Sequence, residues 1–277
     1  MPRPLPSRAL RPRPLLAAAA LLPLLLVAGC SSRASAGSAT TSTGTTVPLV
    51  EAGHLTICTN LPYAPFELAQ GDTYVGFDLG LLDLVAKDLR VTPKVLDVPF
   101  ETIKTGAALN ARQCDVGAAG LSITPERKAN LAFSSPYYDA DQALVTRTGS
   151  APVASLDAAK GVRLGSQSAT TGEDAVKAKG LDPVSFETAD AELNALRAKQ
   201  VDVVVQDLPV AEQWLKEKGG SAFTVSSVVK TGEQYGFALR RTGSQELLRR
   251  VDAVLAKARA DGSYDALYRT WFGRDAA

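Results

Sequence analysis

From Leu55 onward the chain alternates short runs of β-forming residues with amphipathic stretches, and this alternation limits the possible folds more than any other feature. The strongest strand pattern covers residues 201–205, and the clearest helix pattern is Phe77–Leu89, with Asp78 as its expected N-cap. The order strand, helix, strand, helix, strand occurs between residues 55 and 130 and again between residues 161 and 218. This order predicts an α/β fold with mostly parallel sheets flanked by helices.

Two successive α/β units predict two lobes with a cleft between them. The first unit includes one helix expected over Thr102–Arg112, and two helices, at residues 244–260 and 264–271, close the chain. A content of 45% hydrophobic residues is enough to fill the core of such a fold.

The first thirty residues have the pattern of an export signal. Residues 1–14 contain four arginines and no acid, and residues 15–28 form an apolar run with one proline. The run is shorter than the roughly 20 residues that span a bilayer. It ends in Val27-Ala28-Gly29-Cys30, which resembles a bacterial lipobox, and the resemblance implies that Cys30 carries lipid and begins the mature chain. An ordinary signal peptide with a coincidental cysteine is the alternative.

A stretch rich in Ser, Thr, Ala and Gly follows the signal, at residues 31–46. Because it cannot bury a core, we expect residues 30–48 to form a flexible tether with an average reach of about 20–25 Å. Removing residues 1–29, the signal peptide, changes the formal net charge from +1 to about −3. The exported chain is then slightly acidic, which gives no reason to expect a nucleic-acid partner.

The sequence argues against several common catalytic and metal sites. It has one histidine, His54, and it lacks the motifs CxxC, HExxH, GxSxG, GxxxxGK[ST] and GxGxxG. We therefore expect no metal and no cofactor. With Cys30 lipidated, Cys58 and Cys114 remain in an exported protein, and a disulfide between them is favoured over two buried free thiols.

Several ordered motifs, from about Leu55 to Gly273, point to one family. They are Asn60-Leu61-Pro62-Tyr63-Ala64-Pro65-Phe66-Glu67, Gly76-Phe77-Asp78, Gly120-Leu121-Ser122-Ile123-Thr124-Pro125-Glu126-Arg127, Phe133-Ser134-Ser135-Pro136-Tyr137-Tyr138, Gln234-Tyr235-Gly236-Phe237-Ala238, and Gly262-Ser263-Tyr264 through Trp271-Phe272-Gly273. Together they resemble the polar-amino-acid solute-binding proteins (family 3) of bacterial ABC importers.

The resemblance implies a two-lobed fold of the periplasmic-binding-protein type (type II), with crossing hinge segments near Gln142–Arg147 and Gln234–Arg240. Residues 49–144 with 236–277 would form the first lobe, and residues 145–235 the second. The chain would then be the extracytoplasmic subunit that captures a polar or neutral free amino acid between its lobes and delivers it to a membrane permease with its ATPase. We expect a monomer, anchored by lipid to the outer face of the cell membrane.

A free amino acid presents a carboxylate and an ammonium group on one carbon, so its site needs a cation, neutral donors and an acid. Arg127 lies just inside a helix expected to start near Pro125, and its planar guanidinium can bind both carboxylate oxygens. The resemblance implies this role for Arg127, with Ser122 and the backbone of Gly120 contributing. A surface arginine on a short helix is the alternative.

In the second unit, the resemblance implies that Thr170 and Thr171 donate to the same carboxylate from their hydroxyl and N–H groups. It also implies that Asp207 accepts from the ligand's ammonium group. Helix capping is the alternative for Thr171 and Asp207. Ala169 departs from the family, which usually has glycine there.

The remaining candidates concern the ligand's side chain. Tyr63 and Phe100 match positions where large side chains enclose it, although aromatic residues more often belong to the core. Asn60 stands where the family frequently has an acid, which argues against a cationic ligand side chain such as that of arginine or lysine. Further candidates for side-chain contacts are Glu67, Gln167 and Gln206.

Two other functions remain open on this fold. A dehydratase-like enzyme would need an acid with a raised pKa in the cleft, and Glu67 or Glu173 could be proposed for it. A sensor would report the ligand to a membrane partner without transport. We expect a binding protein rather than an enzyme.

Overall fold

A computed structural model describes residues 37–40, 46–217 and 219–276, with side chains from residue 47 onward. The predicted signal peptide and the lipidation site at Cys30 lie outside the described residues. Among the helices that are described, none combines the length and the apolar character needed to cross a membrane.

Strands and helices alternate along the chain. The strands are β1 (Gly37–Thr40), β2 (Thr46–Leu49), β3 (His54–Thr59), β4 (Leu68–Gln70), β5 (Thr73–Val75), β6 (Thr92–Asp97), β7 (Val116–Gly117), β8 (Leu131–Phe133), β9 (Tyr138–Arg147), β10 (Leu164–Gln167), β11 (Val184–Phe186), β12 (Val203–Asp207), β13 (Phe223–Tyr235) and β14 (Ala238–Arg240). The helices are α1 (Phe77–Leu89), α2 (Phe100–Lys104), α3 (Ala107–Asn110), α4 (Pro125–Asn130), α5 (Thr171–Ala178), α6 (Ala189–Arg197), α7 (Leu208–Lys216), α8 (Gln245–Asp261) and α9 (Ser263–Phe272), with a 3₁₀ turn at Gly220–Ala222.

The first lobe is built on a five-stranded sheet in the order β6-β3-β7-β14-β8. β3 runs parallel to β6 and β7, whereas β14 runs antiparallel to β7 and β8. Cys58 on β3 and Cys114, just before β7, form the expected disulfide, with their Cα atoms 5.7 Å apart and both side chains fully buried. This bridge joins the two strands that carry one wall of the cleft.

The second lobe has its own five-stranded sheet in the order β11-β10-β12-β9-β13. β10 runs parallel to β11 and β12, and the long strands β9 and β13 are antiparallel to their neighbours. The valines of β12 are almost completely buried because helices cover both faces of this sheet. The fold is therefore the two-lobed α/β architecture that the sequence predicts.

Two strands connect the lobes, and they cross at positions different from those predicted. β9 already pairs with β12 from residue 142, since Gln142 lies opposite Asp207 and Thr146 lies opposite Val203. The predicted boundary after residue 144 therefore falls inside the second lobe's sheet. The predicted hinge at Gln234–Arg240 also includes β14, which belongs to the first sheet. The strands cross where β9 and β13 pair with each other but not with β12, at residues 138–140 of β9 and 233–235 of β13. Composition could not locate them because both strands continue without interruption through the lobe boundary.

The region expected to be a flexible tether contains regular structure. β1 and β2 pair in antiparallel orientation, with Gly37 opposite Leu49 at one end and Thr40 opposite Thr46 at the other. Val47 and Leu49 are buried and belong to the core of the folded unit. Apolar side chains on β2 therefore extend the folded part to before residue 48.

Two local predictions are also corrected. Helix α1 spans the predicted residues, but Gly76 is its N-cap, and Asp78 is buried inside the first turn instead of capping it. The single helix expected over Thr102–Arg112 is two short helices, because Gly106 between them has a φ of +79°, which a continuing helix does not allow.

Candidate functional site

The carboxyl ends of four parallel strands meet at one cavity between the lobes. Asn60 follows β3 and Gly120 follows β7, while Gln167 ends β10 and Asp207 ends β12. The cavity contains about 310 Å³ of space that atoms do not fill, part of it open to solvent. Ligands of open α/β sheets bind at such a crevice outside the carboxyl ends of the strands. Its lining residues are Asn60, Tyr63, Phe100, Ala119, Gly120, Ser122, Arg127, Gln167, Thr170, Thr171 and Asp207.

The structure brings all nine residues expected to contact the ligand into this lining. Gln167, a weaker candidate, also lines the cavity, and Ala119 is an addition that the sequence did not suggest. Gln206 lies just behind the lining, with its Oε1 3.0 Å from the hydroxyl oxygen of Tyr63. Glu67 lies outside the lining altogether.

Among the described residues that line the cavity, Arg127 is the only cation, and its side chain is buried. Thr124 caps helix α4 by accepting from the Arg127 backbone N–H at 3.1 Å, which fixes the start of the helix. The guanidinium donates to the carbonyl of Ser122 in the first lobe at 2.9 Å and to that of Ala169 in the second lobe at 3.4 Å. It also lies 5.6 Å from the centroid of the Phe100 ring. Burial lowers the pKa of Arg127, and the charges of Asp207 and Glu233 oppose that change.

Arg127 has no ion pair. Within the described part of the chain, no carboxylate oxygen lies within 4.0 Å of its guanidinium nitrogens. A buried charge that is hydrogen-bonded only to carbonyl groups keeps much of its cost of desolvation. The arrangement therefore favours an anion in the cavity beside Arg127.

Asp207 faces the cavity from the second lobe. Its Oδ2 accepts from the hydroxyl groups of Tyr63, at 2.6 Å, and of Tyr235, and its Oδ1 accepts from the side-chain amide of Gln142. Burial and the charge of Glu233 raise the pKa of Asp207, and these hydrogen bonds lower it. The net pKa is about 6. The carboxylate is thus held in a fixed orientation by donors from both lobes.

Polar contacts also cross the cleft at Tyr63 and at Asn60. The Tyr63 hydroxyl, in the first lobe, reaches Asp207 and Gln206 in the second. At another point, the Gln167 side-chain amide donates to Asn60 Oδ1 at 2.9 Å. Neutral amides therefore face each other where the sequence expects the ligand's side chain.

The hydroxyl groups of Ser122, Thr170 and Thr171 donate to acceptors within the protein and not toward the place expected for a ligand carboxylate. Thr170 is the N-cap of α5: its Oγ1 accepts from the Glu173 N–H and donates to the Gln167 carbonyl at 2.7 Å. Ser122 and Thr171 donate their hydroxyl protons to Glu233 at 2.6 and 2.7 Å. Since a hydroxyl group has one proton, none of the three has one left for a ligand carboxylate in this arrangement.

Gly120 occupies a position that other residues would disturb. Its φ is +50°, and a Cβ atom there would lie 2.6 Å from the Tyr63 ring. Behind it, the Gly120 N–H donates to Asp78 Oδ2 at 3.3 Å, and the Tyr137 hydroxyl donates to the same oxygen at 2.5 Å. Burial raises the pKa of Asp78 to about 6 and that of its neighbour Glu67 well above its usual range. Glu67 and Asp78 thus form a buried acid pair that supports the turn.

The acids proposed for an enzyme are not in the lining. Glu67 belongs to the buried pair just described. Glu173 accepts from the Ala169 N–H at 3.0 Å and from the Ser185 hydroxyl, and it pairs with Lys177 at 3.0 Å. These contacts hold the turn at Ala169, whose φ is +66°.

Sequence reasoning missed three site residues on the crossing strands. Gln142 and Tyr235 hold the Asp207 carboxylate, and Glu233 holds the two hydroxyl groups. The motif around Tyr235 predicts only a hinge segment and gives no sign of a contact with Asp207. Its closeness to Asp207 depends on the pairing of β13 with β9, which no local pattern shows.

Two α/β lobes, two crossing strands and a cavity lined by one arginine and one aspartate between them define a two-lobed solute-binding protein. The model of the bacterial extracellular solute-binding proteins, family 3, matches residues 55–274, and the chain belongs to this family.

Several known amino-acid-binding proteins are similar to this chain. The lysine/arginine/ornithine-binding periplasmic protein of Escherichia coli (strain K12) is 31% identical over 264 residues, covering 91% of this chain and 96% of that protein. A mutant of ArgBP from T. maritima is 32% identical, with a TM-score of 0.75 over 80% of this chain and 96% of that one. An ancestral arginine-binding protein bound to glutamine is 33% identical, with a TM-score of 0.74 over 81% of this chain and 100% of that one.

Proposed function

We propose that this protein is the extracytoplasmic substrate-binding subunit of an ABC importer and that it binds a free amino acid with a neutral, polar side chain. One observation carries the proposal. Buried Arg127, which has no ion pair within the described residues, and buried Asp207 line the same cavity from opposite lobes.

Arg127 is the proposed partner of the ligand's carboxylate. A carboxylate beside the guanidinium offsets the desolvation of both groups, and two parallel N–H bonds fix its orientation. The first-turn N–H groups of α5 add positive potential from the second lobe, since Thr171 at the start of that helix lines the cavity. Both lobes can therefore contact the carboxylate.

Asp207 is the proposed partner of the ligand's ammonium group. Tyr63, Tyr235 and Gln142 already orient its carboxylate, so little side-chain entropy remains to be lost on binding. The ligand thus bridges a cation on one lobe and an acid on the other, which favours the closed arrangement of the lobes.

The charges of the lining favour a neutral side chain. Arg127 and Asp207 are its only charged residues, and they match the two charges of the amino-acid backbone. A cationic side chain would find the amides of Asn60 and Gln167 and no free carboxylate. The relatives named for arginine and lysine point the other way, although one solved structure of the ancestral arginine-binding protein contains glutamine.

Calorimetric titration of the mature chain with the twenty amino acids tests the proposal. We expect neutral polar amino acids to bind more tightly than arginine and lysine. Arg127→Ala should weaken binding by about 2–5 kcal/mol because a buried carboxylate loses its partner. Arg163→Ala is the matched control, since Arg163 is exposed and pairs with Asp202. Tighter binding of arginine would contradict the neutral side chain, and unchanged affinity in Arg127→Ala would contradict the site.

A further inference from the structure

Glu233 lies beside the cavity but has no part in the function proposed so far. It is half-buried near the end of β13, on the segment that crosses between the lobes. Backbone hydrogen bonds from Ile123 to the Gln234 carbonyl, at 2.8 Å, and from Gly236 to the Leu121 carbonyl, at 3.1 Å, hold this segment against the Ser122 loop. The position of Glu233 relative to the lining is therefore set by backbone pairing.

One oxygen of Glu233 binds both lobes. Oε2 accepts from Ser122 Oγ in the first lobe at 2.6 Å and from Thr171 Oγ1 in the second lobe at 2.7 Å. Each hydroxyl has then used its single proton, so the lone pairs that it turns toward the cavity can only accept. Thr171 Oγ1 also accepts a long bond of 3.4 Å from Gln142, which leaves one lone pair.

The cavity wall at this point consists of acceptors. Asp207 contributes a carboxylate, Ser122 and Thr171 contribute hydroxyl oxygens, and Glu233 adds a second negative charge behind them. The charge of Glu233 raises the pKa of both Asp207 and Arg127. Such a wall suits a cationic hydrogen-bond donor and repels a carboxylate.

We propose that Glu233 is a specificity-determining residue that fixes Ser122 and Thr171 as acceptors for the ligand's ammonium group. The proposal rests on the function proposed above and refines it: the two hydroxyl groups bind the ammonium group, whereas Arg127 and backbone N–H groups bind the carboxylate. Glu233 acts through the hydroxyl groups and is a positioning residue. The site should therefore discriminate strongly against ligands that lack the α-ammonium group.

The test compares two probes, L-glutamine and 2-hydroxyglutaramic acid, in which a hydroxyl group replaces the ammonium group. Glu233→Gln keeps the size and one acceptor oxygen but removes the charge. We expect it to weaken L-glutamine binding by about tenfold or more, and to change binding of the hydroxy acid by less than about threefold. Glu217→Gln, at the exposed end of α7, is the control for a change of charge alone. Circular dichroism and the Tm check that each variant is folded.

The remaining outcomes separate the possible failures. Equal losses for both probes would show that Glu233 is only structural, and tighter binding in Glu233→Gln would show that it competes with the ligand's carboxylate; either result overturns the inference while the proposed function stands. If another amino acid binds wild type in place of L-glutamine, the same comparison is made with that amino acid and its 2-hydroxy acid. If none of the twenty binds, the proposed function fails, and this inference fails with it.

Discussion

Burial raises the pKa of Asp207 to about 6, so at the residue scale the cavity contains an acid that titrates close to neutral pH. Arg127 opposite it is also buried, but its guanidinium stays charged at any ordinary pH. Any dependence of ligand binding on mild acid should therefore come from the aspartate side of the cavity.

We predict that affinity for the amino acid falls as the pH falls below about 6. The ammonium group needs ionised Asp207, and below its pKa of about 6 the carboxyl group of the free protein is protonated. Binding must then release a proton, so the loss approaches about tenfold for each pH unit. Calorimetry at pH 5 and pH 7.5, in two buffers of different ionisation enthalpy, measures both the affinity and the proton release.

Asp207→Asn is the control for this pH dependence. It should bind weakly at both pH values and lose the difference between them. The acid pair of Glu67 and Asp78 lies behind Gly120, and the pKa of Asp78 is also about 6. A pH dependence that persists in Asp207→Asn would assign the effect to that pair, and would contradict the prediction.

The identity of the site residues could be predicted from the sequence, but the direction of their hydrogen bonds could not. Arg127 lies in one of the ordered motifs, Asp207 follows the strand predicted at residues 201–205, and both line the cavity. The resemblance implies that Ser122 contributes to carboxylate binding and that Thr171 donates to the carboxylate, whereas in the structure both hydroxyl groups donate to Glu233. A hydroxyl group donates to whichever acceptor is nearest in space, and that acceptor lies 62 or more residues away along the chain.

At the scale of elements, the turn after β7 positions the first wall of the cavity. Gly120 combines a left-handed φ of +50° with close contact to Tyr63, and the buried acid Asp78 accepts from its N–H. The turn therefore connects the backbone of the first lobe to the tyrosine that reaches Asp207 across the cleft.

We predict that Gly120→Ala weakens ligand binding and lowers stability. The new Cβ atom would lie 2.6 Å from the Tyr63 ring, so the tyrosine must move away from Asp207. The control is Gly149→Ala, where φ is +80° and nothing lies within 4 Å of the added atom. Both variants have the backbone strain of about 1–3 kcal/mol, and only Gly120→Ala has the clash as well.

The measurement is the Tm of both variants together with calorimetric affinity for the amino acid. Gly149→Ala should lower the Tm and leave the affinity at the wild-type value. Equal affinities in the two variants would show that Tyr63 adjusts without cost, and would contradict the role of the turn.

Elements with a local pattern could be predicted, and those defined by distant pairing could not. α1 has its expected bounds and α4 starts at Pro125 as expected, because an amphipathic run and a proline in the first turn are local signals. The sequence predicts only hinge segments near β9 and β13, since the course of these strands through both lobes depends on pairing between residues 76 to 97 positions apart. Residues of β9 and β13 also complete the site. The sequence therefore failed to predict these strands and these site residues for the same reason, which is their dependence on distant pairing.

At the scale of the whole molecule, contacts across the cleft join two lobes that each have their own sheet. The disulfide lies wholly within the first lobe, between β3 and the residue before β7. It therefore stabilises one wall of the cleft without restricting movement between the lobes.

Attachment to the membrane is the prediction that belongs to this scale. If Cys30 is lipidated, as its lipobox-like context implies, Cys30→Ser should release the protein from the membrane fraction of a bacterial host. Labelled palmitate should enter the wild-type protein and be absent from the variant. Release of the wild type from the membrane fraction, with no label in it, would favour an ordinary signal peptide.

The ladder between β9 and β13 is irregular between Val229 and Glu233, where three residues of β13 stand opposite Asp141 alone. Asp141 accepts from Lys230 and from the Thr231 N–H, and this local loop is the place where the ladder can bend with the least loss of pairing. Glu233 is the first residue after the bend, so any swing of one lobe about this pivot displaces its carboxylate. The rotation that opens the cleft to an amino acid would then move the acceptor of the Ser122 and Thr171 hydroxyl protons. Ligand recognition would therefore depend on the angle between the lobes.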